Sequence, residues 1–108
     1  MIHIIRAHAT SAEMKEMLKS YAKLSVDTDR KILAGGGIMH ADCEAVLLQD
    51  GSQKEFVWGA DWNPSTQQVT FEALINIRPR QNNPSMDILD KSIRKAVAEI
   101  TVNRLSGL

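Results

Sequence analysis

Three stretches of the chain gather the side chains that can do chemistry. His40-Ala41-Asp42-Cys43-Glu44 brings an imidazole, two carboxylates and the single thiol close together. Asp61-Trp62 sets a carboxylate beside an indole. Arg78-Pro79-Arg80-Gln81-Asn82-Asn83 carries two guanidinium groups and three amides. Cys43 with His40 nearby is the residue pair of a thiolate nucleophile. The competing reading makes Cys43 a small buried hydrophobe, the commoner use of a free cysteine. His40, Asp42, Glu44 and Asp61 offer nitrogen and oxygen ligands for a divalent ion. Their spacing matches no strong metal motif, and a carboxylate cluster balanced by Arg78 or Arg80 explains them equally. Neither a metal nor a cofactor is expected. The two arginines present planar forks for a carboxylate or phosphate, and Pro79 stiffens the loop that bears them.

These features favour a binding protein with a pocket for a small polar or anionic molecule. His40, Asp42, Glu44, Asp61, Trp62, Arg78, Arg80, Gln81 and Asn82 are its candidate residues. A small enzyme is the first alternative, with Asp61 or His40 as acid or base and Arg78 and Arg80 stabilising charge. A homo-oligomeric interaction adaptor is the second, using Trp62 and Met14, Met17 and Met39 at an interface. A homodimer is the simplest assembly, because a sheet of this size leaves an edge to cover.

The elements that must position these residues read as α+β: an antiparallel meander sheet with two helices packed on one face. Residues 1–6 form a short strand rich in isoleucine. Thr10 and Glu13 have the spacing of a capping box, and Met14, Met17, Leu18 and Tyr21 share a stripe, so a helix is expected over about 11–22. Leu24 and Val26 begin a hairpin that turns at Asp27-Thr28-Asp29 and returns over 31–34. The three glycines at 35–37 end it in a bend or bulge; they lack the spacing and the lysine of a phosphate-binding loop. Residues 43–49, 54–61 and 68–77 read as three successive strands, joined by turns at Asp50-Gly51 and 63–66. The best apolar register sets Leu47 opposite Phe56, Ala45 opposite Trp58 and Cys43 opposite Ala60. The next hairpin sets Trp58 opposite Phe71 and Ala60 opposite Val69. Cys43 then faces the core with Trp58 and Phe71, buried and unreactive. Asp87 and Asp90 suit the start of a last helix, whose core stripe is Leu89, Ile93, Ala96, Val97 and Ile100, and Gly107 suits its end.

The segments 35–44, 58–62 and 76–83 together resemble an uncharacterised bacterial family classed as a domain of unknown function. The likeness spans nearly the whole chain. It implies a small bacterial protein and brings no catalytic roles with it.

The chain has 108 residues, of which 44% are hydrophobic and 24% charged, enough for one domain with a real core. Thirteen basic residues balance thirteen acidic ones. That balance, with no aromatic-basic face, argues against a nucleic-acid partner. No apolar run approaches a membrane span, so no membrane partner is expected. The single cysteine excludes an internal disulfide, and a cytoplasmic location is expected.

Overall fold

The structure is a computed structural model that describes residues 1–17 and 22–108. Five antiparallel strands form one open sheet: β1 (His3–Ile5), β2 (Ala22–Asp27), β3 (Ile32–Gly35), β4 (Val57–Asn63) and β5 (Gln68–Thr70), in the order β1-β3-β2-β4-β5. Three helices accompany it: α1 (Ser11–Met17), α2 (His40–Gln49) and α3 (Lys91–Leu105). The α+β class read from the sequence is the class observed. Among the described residues no helix is long and apolar enough to cross a membrane.

Alternation along the strands builds two cores. Ile5, Leu24, Val26, Leu33, Trp58, Ala60 and Trp62 point to one face, where they meet Met14 and Met17 of α1 and Val97 and Leu105 of α3. Ile32, Ala34 and Val57 point to the other, where they meet Cys43 and Leu47 of α2. The two helices expected from the sequence therefore share one face, and α2 covers the opposite one.

Helix α2 corrects the reading of residues 43–49 as a strand. Cys43 and Leu47 stand one helical turn apart and seal the same apolar layer. Asp42 holds the start of the helix, its Oδ2 accepting from the Met39 N–H at 3.1 Å. Asp50-Gly51 is consequently a helix end rather than a hairpin turn. Gly51 has φ +106°, and the N–H groups of Asp50 and Gly51 donate to the Val46 and Leu48 carbonyls. The strand facing β4 is β2, with Leu24 opposite Ala60 and Val26 opposite Trp58. Cys43 and Ala45 are not in the sheet.

Residues 71–77 correct the expected third strand. Pairing between β4 and β5 covers Asp61↔Thr70, Trp62↔Val69 and Asn63↔Gln68. That register is shifted by two residues from the one expected, so the apolar face is kept. After Thr70 the chain leaves the ladder, and a 3-10 turn forms at Leu74–Asn76.

Residues 54–56, read as the start of a strand, form a 3-10 turn that precedes β4, while several other local readings match the structure. Thr10 N–H donates to Glu13 Oε1 at 2.9 Å and Glu13 N–H donates to Thr10 Oγ1 at 3.1 Å, closing the capping box. Residues 18–21, including Leu18 and Tyr21 of the expected stripe, lie outside the described residues; Ala22 already belongs to β2. Asp27 Oδ1 accepts from the N–H groups of Asp29 and Arg30 and holds the β2–β3 turn. Gly36 has φ +103°, and a Cβ there would fall 2.1 Å from the Met1 carbonyl oxygen, so only glycine fits this close approach. Asp90 caps α3 by accepting from Ser92 and Ile93 N–H. Leu89 lies before α3 and is exposed, so the buried stripe is Val97, Thr101 and Leu105 instead.

Candidate functional site

Seven of the nine candidate residues separate into three places, and Asp42 and Trp62 lie elsewhere. The first is a cleft between the start of α2 and the segment after β5. His40 opens α2, and Asp61 lies on the α2 side of β4. The His40 Nε2–H donates to Asp61 Oδ1 at 2.8 Å, since a carboxylate can only accept. Both side chains are largely covered, at 12% and 18% exposure. A second bond steadies this corner: Ser25 Oγ–H donates to the His40 carbonyl at 2.8 Å. The pair borders a cavity of about 390 Å³ whose walls include Lys23, Met39, Glu72, Leu74 and Met86. Lys23 is the direct cross-strand partner of Asp61.

The second place is buried. Arg78 Nη2 meets Glu44 Oε2 at 3.3 Å, with both side chains nearly sealed from solvent. The same guanidinium donates to the carbonyls of Ile75 and Lys54, each at 2.8 Å, and to that of Val57. It also stacks over the Trp58 ring, 4.6 Å from its centroid. Burial lowers the Arg78 pKa, and the Glu44 carboxylate opposes that shift. Every direction in which this fork can donate is taken up by the protein itself.

Asn76 and Asn83 complete that network; neither is among the nine candidate residues, and Asn83 counts in the sequence reading only as a spare amide of the 78–83 loop. Asn76 Oδ1 accepts from Gly59 N–H at 2.7 Å, and its Nδ2 donates to the carbonyls of Gly59, Phe71 and Met86 at 3.0–3.1 Å. Its amide thus supplies what a neighbouring strand would give β4, in the stretch where β5 has ended. Gly59 has no room for a side chain, because a Cβ would stand 2.4 Å from the Ala73 Cβ. Asn83 Nδ2 donates to Asn76, Ser85 and Asp87 carbonyls, and its Oδ1 accepts from Leu89 N–H. The available signal was composition: three asparagines in a loop between apolar segments, where buried carbonyls need donors.

The third place is the outer surface of the 3-10 turn Pro79–Gln81. Arg80, Gln81 and Asn82 are all exposed there. Gln81 Nε2 donates to the Glu55 carbonyl at 3.0 Å, and Asn82 takes the left-handed conformation with φ +58°.

Asp42 and Trp62 belong to none of these. The Asp42 carboxylate is engaged at the α2 N-terminus. Trp62 is fully buried in the core shared with α1 and α3. Cys43 is buried beside Ala34, Leu47 and Val57, on the opposite side of the sheet from Trp58. Its thiol donates to the Lys23 carbonyl at 3.6 Å. Burial pushes the Cys43 pKa up, and the nearby Asp42 charge adds to that shift. His40 turns to Asp61 instead, so the two do not form a thiolate–imidazole pair. Among the described residues no three of His, Cys, Asp and Glu converge as a metal ion requires.

The 78–83 loop divides its arginines: Arg78 reaches Glu44, Arg80 stays at the surface, and Asp61 takes His40. No curated protein and no solved structure matches the chain. A family model described as a protein of unknown function (DUF5674) matches residues 3–104. That match runs from β1 through nearly all of α3 and includes all three places, so the chain belongs to the DUF5674 family.

Proposed function

We propose that the protein binds a small polar molecule in the cleft beside His40 and Asp61. The observation that carries this reading is the His40–Asp61 hydrogen bond at the wall of an open cavity. A carboxylate-held imidazole is oriented, and an oriented donor beside a concave surface is what a specific ligand needs. The cavity volume lies within the range of small-molecule pockets. Arg78 and Arg80, which motivated an anionic ligand, do not line it. One lysine and two carboxylates do, which speaks against a simple anion.

The same dyad supports a second reading, acid–base catalysis, because an imidazole fixed by a carboxylate is the geometry of a general base. The experiment common to both is amide NMR of the labelled protein against a library of small polar metabolites. Binding in the cleft shifts the resonances of Lys23, His40, Ala73 and Leu74 together. Shifts confined to residues 80–82 overturn the assignment. Chemical conversion of a cleft-binding compound, lost in His40→Gln while binding persists, would select catalysis.

A further inference from the structure

We infer that the cleft recognises a zwitterion with an apolar side chain, such as a free aliphatic α-amino acid; this rests on the cleft being the binding site. The cleft holds three formally charged side chains, Lys23, Asp61 and Glu72, together with His40. Asp61 is engaged by His40. Lys23 and Glu72 have neither an ion-pair nor a side-chain hydrogen-bond partner among the described residues. Among the described residues, the cleft therefore presents one cation and one anion without partners.

The backbone explains how they come together. Lys23, Asp61 and Thr70 form one cross-strand row over β2, β4 and β5. Glu72 follows two residues after Thr70, just past the end of β5. A ligand carboxylate answers Lys23 and a ligand ammonium answers Glu72, each through a charge-assisted hydrogen bond. A ligand bearing only a negative charge meets two carboxylates against one lysine. A ligand bearing only a positive charge leaves Lys23 unanswered and is repelled by it.

The rest of the wall is apolar and open. Met39, Leu74 and Met86, which line this cleft, are 51%, 63% and 39% exposed. Large exposed apolar side chains grouped around a polar pocket mark a surface that is covered in use. Two methionines add an adaptable lining, suited to aliphatic chains of differing shape. The polar end thus fixes the two charges, and the apolar rim accepts the side chain.

The test uses four probes of matched carbon skeleton on the intact protein, followed by amide NMR titration. They are L-leucine, 4-methylpentanoate without the amine, 3-methylbutylamine without the carboxylate, and leucinamide. The expected result is cleft shifts with leucine, and binding at least tenfold weaker for each single-charge probe. Lys23→Gln should remove the advantage of leucine over the amine, and Glu72→Gln its advantage over the carboxylate. Both residues are at the surface of the cleft, so both variants should fold, which their amide spectra verify. If 4-methylpentanoate or the amine shifts the cleft as strongly as leucine, the cleft remains a binding site and the zwitterion assignment fails. If all four probes leave the cleft unshifted, the assignment also fails, while the metabolite library still tests the cleft itself.

Discussion

Two polar clusters each join α2 to β4, and they differ in what is left over. Around Arg78, the guanidinium, the Glu44 carboxylate and the amides of Asn76 and Asn83 spend their hydrogen bonds on protein partners. Around His40, the imidazole takes Asp61, while Lys23 and Glu72 have no ion-pair partner among the described residues and lie beside an open cavity. A saturated cluster stabilises the fold and has nothing to offer a ligand. A cluster with spare donors and acceptors is held ready to bind. Residue type does not separate the two, since arginine and asparagine look more like ligand groups than a lone lysine does.

The largest expected effect is at Arg78. Replacing it with methionine keeps much of the stem volume but strands the Glu44 carboxylate, along with three carbonyls at Ile75, Lys54 and Val57. Removing one member of a buried ion pair costs roughly 3–5 kcal/mol, because the remaining charge is uncompensated. Denaturant unfolding of Arg78→Met should show a loss of that size, and adding Glu44→Gln should recover part of it. A loss below about 1 kcal/mol would mean the buried cluster is not what holds residues 71–83 to β4.

The contrast is sharper within one helix. His40 and Cys43 are three residues apart in α2, yet His40 borders the cavity while Cys43 is sealed in the apolar layer. Burial raises the Cys43 pKa above its ordinary value of 9.0. A thiol-directed reagent at neutral pH should therefore label native Cys43 at least on the order of a hundredfold more slowly than the unfolded chain. The thiol's contribution to stability is whole below the ordinary thiol pKa. It is lost as the pH rises beyond that value, because the unfolded chain ionises first. Rapid labelling of the folded protein at pH 7 would move Cys43 into the reactive class.

What was legible in the sequence follows from how local each signal is. The Thr10–Glu13 box, the turn at Asp27 and the Asp90 cap are complete within four residues, and all three formed as read. Helix α2 was misread because Cys43, Ala45 and Leu47 alternate, while Cys43 and Leu47 also stand at helical spacing. Asp42 three residues after Met39 was the deciding local mark, and it was taken for a ligand. The end of β5 had no local mark at all. Val69, Phe71, Ala73, Ile75 and Ile77 alternate throughout, but Asn76 takes the β4 edge from a distance of 17 residues. The site was half legible for the same reason. Lys23, Asp61 and Glu72 meet only through pairing of three strands, which depended on replacing residues 43–49 by β2 as the neighbour of β4.

The smallest expected effect is at Arg80, two residues from the largest. Arg80 is exposed and has no ion-pair partner among the described residues. Truncating an exposed side chain without special contacts changes stability by no more than about 0.5 kcal/mol. Arg80→Ala should therefore unfold at nearly the same denaturant concentration as the parent. It should also leave the cleft response to leucine unchanged, since Arg80 is absent from the cavity wall. Comparing Arg78→Met, Arg80→Ala and Lys23→Gln by unfolding and titration then separates three uses of a cation. The first should lose stability, the second neither property, and the third ligand selectivity alone. A tenfold loss of leucine binding in Arg80→Ala at unchanged stability would return the site to the 79–81 turn and remove the cleft from consideration.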